Sequence, residues 1–301
     1  MHDKSSIGFE EFLLQPTDKI RQFAPKSVIY SVSGTRRSAA LAGISSEGEN
    51  YTAWTYHKML HCINILFDYG VQHIIKPIIT PSQFKELTPD YSEHLWEWLQ
   101  KGLGSQQAIA DYRRLGWQVR IPFSEHLPQL QATAQKLINL TATETNRYLW
   151  LFIIPEHDSL WRWTLPVLGQ KSISSIQEAI QTLYKADIPA ATMLLDFGKP
   201  VIPSDLLPPF LAGKLECYWT QRPGYSLDEE QFRQILYDFA YVRKTWREDK
   251  TGRAEKAHIY RQAWEEGPIL GLGTRLGPFW YPQPTTIPGV ISDMESDSAV
   301  E

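Results

Sequence analysis

Cysteine is scarce. Cys62 and Cys217 are the two among 301 residues, which leaves no disulfide framework and no repeated metal-ligand spacing, and fits a reducing cytoplasm. Long apolar runs are missing too. The longest strongly apolar stretch, Tyr148 to Pro155, falls far short of the roughly 20 residues a bilayer span needs. The amino end carries Asp3, Glu10 and Glu11 with no basic segment before an apolar core, so no signal peptide is expected. With a net charge of -4 and no long Lys/Arg block, bulk electrostatics suggest neither a nucleic-acid groove nor an anionic membrane partner. No two aspartates are adjacent, which excludes Asp-rich metal boxes. A Walker loop, His-Glu-x-x-His, Gly-x-Ser-x-Gly and Cys-x-x-Cys are likewise absent.

What is present is a chain with 43% hydrophobic residues, enough to bury a substantial core. Eleven Trp and fourteen Tyr build amphipathic packing and can line a cavity for a bulky apolar or cationic species. Apolar spacing over Tyr51 to Tyr69 marks one face of a helix closed by Gly70. Val71 to Ile79 reads as a strand, Leu95 to Leu115 as a helix broken at Gly102 and Gly104, Trp117 to Pro122 as a short strand, and Leu127 to Leu140 as a helix. Tyr148 to Ile154 is a continuous apolar strand of the kind buried on both faces of a parallel sheet. A helix over Ile173 to Asp187, strands over Ala190 to Phe197 and Leu215 to Thr220, and a last helix opened by a Ser226/Glu229 capping box complete the pattern. The order predicts an α/β fold with a mostly parallel central sheet flanked by helices. Residues 1–281 are expected to form a single domain and 282–301 a disordered acidic tail. Gly271 to Gly277 reads as a turn, because its third Gly falls one residue late for a dinucleotide loop.

Chemistry concentrates at the first strand-to-helix corner. Val28-Ile29-Tyr30-Ser31-Val32 drops into Ser33-Gly34-Thr35-Arg36-Arg37 and then a run rich in Ala. Gly34 lets backbone approach a ligand, Thr35 can cap, and two guanidiniums stand beside free N–H groups, so phosphate is the natural guest. An exposed Arg pair on a turn is the plainer alternative.

Those five residues resemble the Asp-Gly-Thr-Arg-Arg motif of cis-prenyltransferase-fold enzymes, in the form carried by the tuberculosinol synthase branch, and match it at four of five positions. The resemblance continues through Tyr51 to Leu66-Phe67-Asp68-Tyr69-Gly70, Lys76-Pro77-Ile78, Phe197-Gly198-Lys199 and Ile235 to Arg243. It implies a cytoplasmic, homodimeric cis-prenyltransferase-like enzyme. Such an enzyme ionises an allylic prenyl diphosphate, linear or already cyclised, releases diphosphate, and leaves the cation to water, deprotonation or another nucleophile. Arg36 and Arg37 would clamp the diphosphate together with Ser33, Gly34, Thr35, Lys199 and Ser204. Tyr51 and Tyr91 match active-site tyrosines, with ordinary packing as the alternative. Ser33 departs from the family's Asp and weakens the implied Mg2+ dependence, since a hydroxyl offers neither a charged ligand nor a carboxylate base. Leu215 to Thr220 resembles the segment where chain-elongating members place a metal-binding Glu, which makes Glu216 the metal candidate, or else a strand-edge carboxylate facing water. Two alternatives stay open: a non-catalytic subunit of the same fold supporting a partner enzyme, and a phosphate-ester hydrolase.

Overall fold

The computed structural model describes residues 7–85, 91–141, 145–170, 172–198, 203, 207–242, 254, 261, 273–276 and 279–282, with the backbone alone over 91–94, 273–276 and 279–282. The chain divides into two compact units, Met1–Lys244 and Thr245–Glu301, so the boundary expected at 281 falls within the second. The tail at 283–301 lies outside the described residues.

The first unit opens with two short helices, α1 (Phe9–Leu13) and α2 (Thr17–Ile20), and continues as β1 (Ser27–Val32), α3 (Thr35–Leu41), α4 (Gly48–Asp68), β2 (His73–Ile79) and α5 (Pro81–Phe84). Then come α6 (Tyr91–Leu103), α7 (Gln106–Arg114), β3 (Gln118–Arg120), α8 (Gln131–Leu140), β4 (Tyr148–Ile153), α9 (Ser159–Gly169), α10 (Ile176–Tyr184), β5 (Ala191–Phe197), β6 (Ala212–Thr220) and α11 (Glu229–Tyr237). The strands form one six-stranded sheet in the order β3-β4-β2-β1-β5-β6, and every pair is parallel. Strand β1 therefore lies inside the sheet between β2 and β5.

Alternation along the strands divides the core in two. Val28 and Tyr30 face a layer that includes Met59, Ile63 and Leu66 of α4 and Phe232 of α11. Ile29, Ile75 and Leu194 face Leu160 of α9 and Ile180 and Leu183 of α10. Sheet and helices thus stack in three layers, the arrangement expected when strands are apolar on both faces.

Three local expectations are corrected. The box at the start of α11 is formed by Asp228 and Gln231, not Ser226 and Glu229: Gln231 N–H donates to Asp228 Oδ1 at 2.8 Å, and the Asp228 N–H donates to Gln231 Oε1 at 3.3 Å. Leu227 is buried and Asp228 is extended at φ -116° and ψ 171°, so the helix begins only at Glu229. Helix α10 is also shorter than the Ile173–Asp187 reading, opening where Ser175 accepts from Glu178 N–H at 3.1 Å and ending at Lys185 with φ 54°. In the second unit, Gly273–Leu276 is a strand, β7, paired antiparallel with β8 (Phe279–Pro282), rather than a turn. Thr274 and Leu276 stand opposite Tyr281 and Phe279 in the register, and β-branched and aromatic residue types favour extended backbone.

Candidate active site

The turn after β1 is held from three directions. Gly34 sits at the N-cap of α3 in the left-handed region, φ 73° and ψ 30°, a conformation that strains residues bearing a Cβ. A Cβ there would lie 2.6 Å from Arg37 Nη2 and 3.0 Å from Pro223 Cβ, so the Arg37 guanidinium folds back over the Gly34 backbone. Ser33 donates its backbone N–H to the Phe197 carbonyl at 2.7 Å and its hydroxyl to the same oxygen at 3.2 Å. Its own carbonyl accepts from Gly224 N–H at 2.8 Å. Gly198, at φ 126°, has no room for a side chain, since a Cβ would stand 1.9 Å from Ser33 Oγ. Thr35 is the first helical residue rather than the cap, and its hydroxyl hydrogen-bonds Tyr51 Oη at 2.6 Å. Arg36 and Arg37 are exposed, Ser33, Thr35 and Tyr51 half-buried.

Beneath this turn lies a buried basic group that composition alone did not single out. Lys76 of β2 is 1% exposed. Its Nζ donates to the Pro77 carbonyl at 2.8 Å and stands 5.7 Å from the Tyr30 ring centre and 5.4 Å from that of Tyr225. Burial pushes its pKa down to about 7, against the opposing pull of Asp196. Asp196 of β5 is itself 3% exposed, beside the Ser31 hydroxyl, with its pKa raised by burial. Burial also raises the phenols of Tyr30 and Tyr225 far above the ordinary range, so both stay neutral. The sequence signal for Lys76 is a lone cation inside a β-branched run. Its role emerges only when the fold sets two rings against it.

A groove of about 410 Å³ opens beside α3 at Ser38, walled by Leu41, Trp54, Lys58, His61, Tyr225 and Asp228 among others. Tyr225 is shared: the residue lines the groove and its ring meets Lys76.

The structure thus brings together Ser33, Gly34, Thr35, Arg37 and Tyr51, with Arg36 on the same turn. Tyr91 is the first residue of α6, and its side chain lies outside the described set, as do Lys199 and Ser204. Glu216 is not brought to the turn. It pairs with Met193, which pairs with Val28, a level roughly 13 Å below the carboxyl edge at about 3.3 Å per residue. Among the described residues no three His, Cys, Asp or Glu side chains gather as a cation site. A hydroxyl committed to a carbonyl and a pair of guanidiniums is also a poor donor set for Mg2+. The described residues therefore do not fit a resident magnesium. Among the described residues no helix is long and apolar enough to cross a membrane.

A parallel sheet covered on both faces, with a glycine-led, arginine-bearing corner at the end of an interior strand, defines the cis-prenyltransferase architecture. Solved structures agree. A probable undecaprenyl diphosphate synthase of Campylobacter jejuni superposes with a TM-score of 0.50 at 14% identity, covering 73% of this chain and 97% of the other. Lavandulyl diphosphate synthase of Lavandula x intermedia, in complex with dimethylallyl diphosphate, gives a TM-score of 0.52 at 14% identity over the same shares, 73% and 97%. No protein-family model matches the chain. Curated relatives are nearer in sequence. (+)-Kolavelool synthase of Herpetosiphon aurantiacus is 44% identical over 277 residues, 92% of this chain and 96% of the relative. Tuberculosinyl adenosine transferase of Mycobacterium tuberculosis is 21% identical over 301 residues, 91% and 98% of the two chains. The chain belongs to the kolavelool synthase family of terpene synthases and prenyltransferases.

Proposed function

We propose that this enzyme of isoprenoid biosynthesis ionises an allylic prenyl diphosphate, linear or pre-cyclised, at the corner between β1 and α3, and releases diphosphate. The carbon–oxygen bond breaks heterolytically, its electron pair leaves with the diphosphate, and the allylic cation is consumed by water, by proton loss or by another nucleophile. The observation that carries this reading is the Arg37 guanidinium folded over the Gly34 backbone. Donors fixed before the reaction stabilise a departing anion without reorganising. The Thr35–Tyr51 hydrogen bond ties α4 to the same corner and supports Tyr51 as a site residue. Arg36, Tyr91, Lys199 and Ser204 complete the proposed set. Incubation with geranyl, farnesyl and geranylgeranyl diphosphates should release diphosphate and extractable product. The Arg37→Ala variant should lose about 100-fold or more in kcat, the cost of removing one preorganised donor. Wild-type activity in that variant overturns the assignment.

Ser33 motivates a second reading, a non-catalytic subunit, because its hydroxyl is bound to a backbone carbonyl. Tight binding of all three diphosphates with no turnover would select it. We further propose a cytoplasmic homodimer. Cysteine usage limited to Cys62 and Cys217 suits a reducing compartment, and exposed Trp161, Leu165 and Ile176 offer apolar surface to a second copy. Light scattering should give twice the 34.7 kDa chain mass.

A further inference from the structure

We propose that Tyr225 is the ring that faces the reacting cation and that Lys76, behind it, is a positioning residue whose charge sets how well that ring stabilises positive charge. The inference rests on the reading above, that an allylic prenyl diphosphate is ionised at the corner between β1 and α3, and it places the prenyl chain in the groove beside α3. Tyr225 is 9% exposed and contributes to the groove wall. Lys76 Nζ stands 5.4 Å from its ring centre. A ring's π-cloud attracts a cation at its face, and one electron-rich ring serves two cations less well than one. An ammonium behind Tyr225 draws on the cloud that an allylic cation in the groove would use. A neutral amine does not.

The surroundings of Lys76 suit a group that changes charge. Among the described residues no carboxylate lies within ion-pair distance of it, and its Nζ hydrogen-bonds the Pro77 carbonyl, a contact that an amine and an ammonium can both make. The titratable groups around it are Tyr30 from β1, Asp196 from β5, Cys62 from α4 beside the Tyr30 phenol, and Tyr225 itself, which in turn feels Tyr51 and Tyr112. On β4 the residue level with Lys76 is Leu151. The tyrosines are held neutral by burial, and Asp196 alone favours the ammonium. The proton on Lys76 is therefore the charge that changes near neutral pH, where its pKa is lowered to about 7.

The test compares single-turnover rates at pH 8 and pH 6. Wild type should be about tenfold faster at pH 8, the change in neutral fraction of a group titrating near 7. In Lys76→Met the ratio should fall to about one, and Lys76→Arg, charged at both pH values, should be at least tenfold slower than wild type at pH 8. Tyr225→Phe should keep the tenfold ratio because the ring remains, while Tyr225→Leu should lose it. A second readout needs no turnover. Calorimetry with a prenyl-chain trialkylammonium should show affinity in wild type about tenfold weaker at pH 6 than at pH 8, and no such change in Lys76→Met. A preserved tenfold ratio in Lys76→Met, or full activity in Lys76→Arg, overturns the proposal. If Lys76→Met does not fold, the wild-type and Tyr225→Leu ratios decide: equal ratios overturn it. Absence of diphosphate release by wild type at pH 8 instead overturns the proposed function, so the two failures are told apart.

Discussion

At the scale of single residues, Ser33 is where the backbone of the first strand-to-helix corner is pinned. Its hydroxyl proton goes to the Phe197 carbonyl, an acceptor that a carboxylate would be repelled by. Gly198 closes the other side, with its Cβ position 1.9 Å from Ser33 Oγ. In Ser33→Asp the new carboxylate therefore has to turn out of that contact toward the Gly34–Arg37 corner. There it supplies the hard, charged oxygen that Mg2+ prefers. Rates measured in EDTA and in Mg2+ should show a metal requirement in the variant that exceeds that of wild type. An unchanged dependence would put position 33 outside the reach of the diphosphate.

At the scale of elements, one arginine gathers the amino-terminal helices onto the body. Arg233 of α11 donates to the carbonyls of Leu13 at 2.9 Å and Gln15 at 2.7 Å, to Thr17 Oγ1 at 3.2 Å and, through Nε, to Tyr69 Oη at 2.5 Å. Its guanidinium also stands 5.2 Å from the Tyr69 ring centre. Arg233→Ala should cost about 2–3 kcal/mol, the worth of charge-assisted hydrogen bonds lost together. Urea unfolding would read this as a lower midpoint. Long periodic elements such as α4 and β4 were legible in the sequence because burial on one stripe or on both faces leaves a pattern. Helix α9 was not, since Pro166 inside it carries the signature of a break. Helices α1 and α2 are too short to show a period. The corner of Gly34 to Arg37 could be read because its residues are contiguous. The partnership of Lys76 with Tyr30 and Tyr225 could not, because it joins distant parts of the chain through the sheet register.

At the scale of the whole molecule, pH acts through buried bases. His73 on β2 stacks on Tyr148 with centroids 4.8 Å apart and accepts at Nδ1 from Trp150 Nε1–H at 3.2 Å, a bond that requires the ring to be unprotonated there. Burial lowers its pKa to about 4. The unfolded chain binds this proton below about 6.5 and the folded chain only below about 4, so unfolding is favoured increasingly as pH falls through that interval. The loss should reach about 3 kcal/mol at its lower end. Denaturation midpoints at pH 7 and pH 4.5 should differ in wild type by more than in a His73→Phe variant.

The corner that carries the arginines precedes almost everything that holds it: its fixing groups, the Phe197 carbonyl and the Gly224 amide, arrive most of a chain later. A ribosome-bound product that stops short of residue 224 cannot display a finished cradle, and strand insertions of such long reach are slow. On the proposed function, diphosphate retention would report synthesis past residue 224, and a ligand that binds the native state alone would draw late folders toward it.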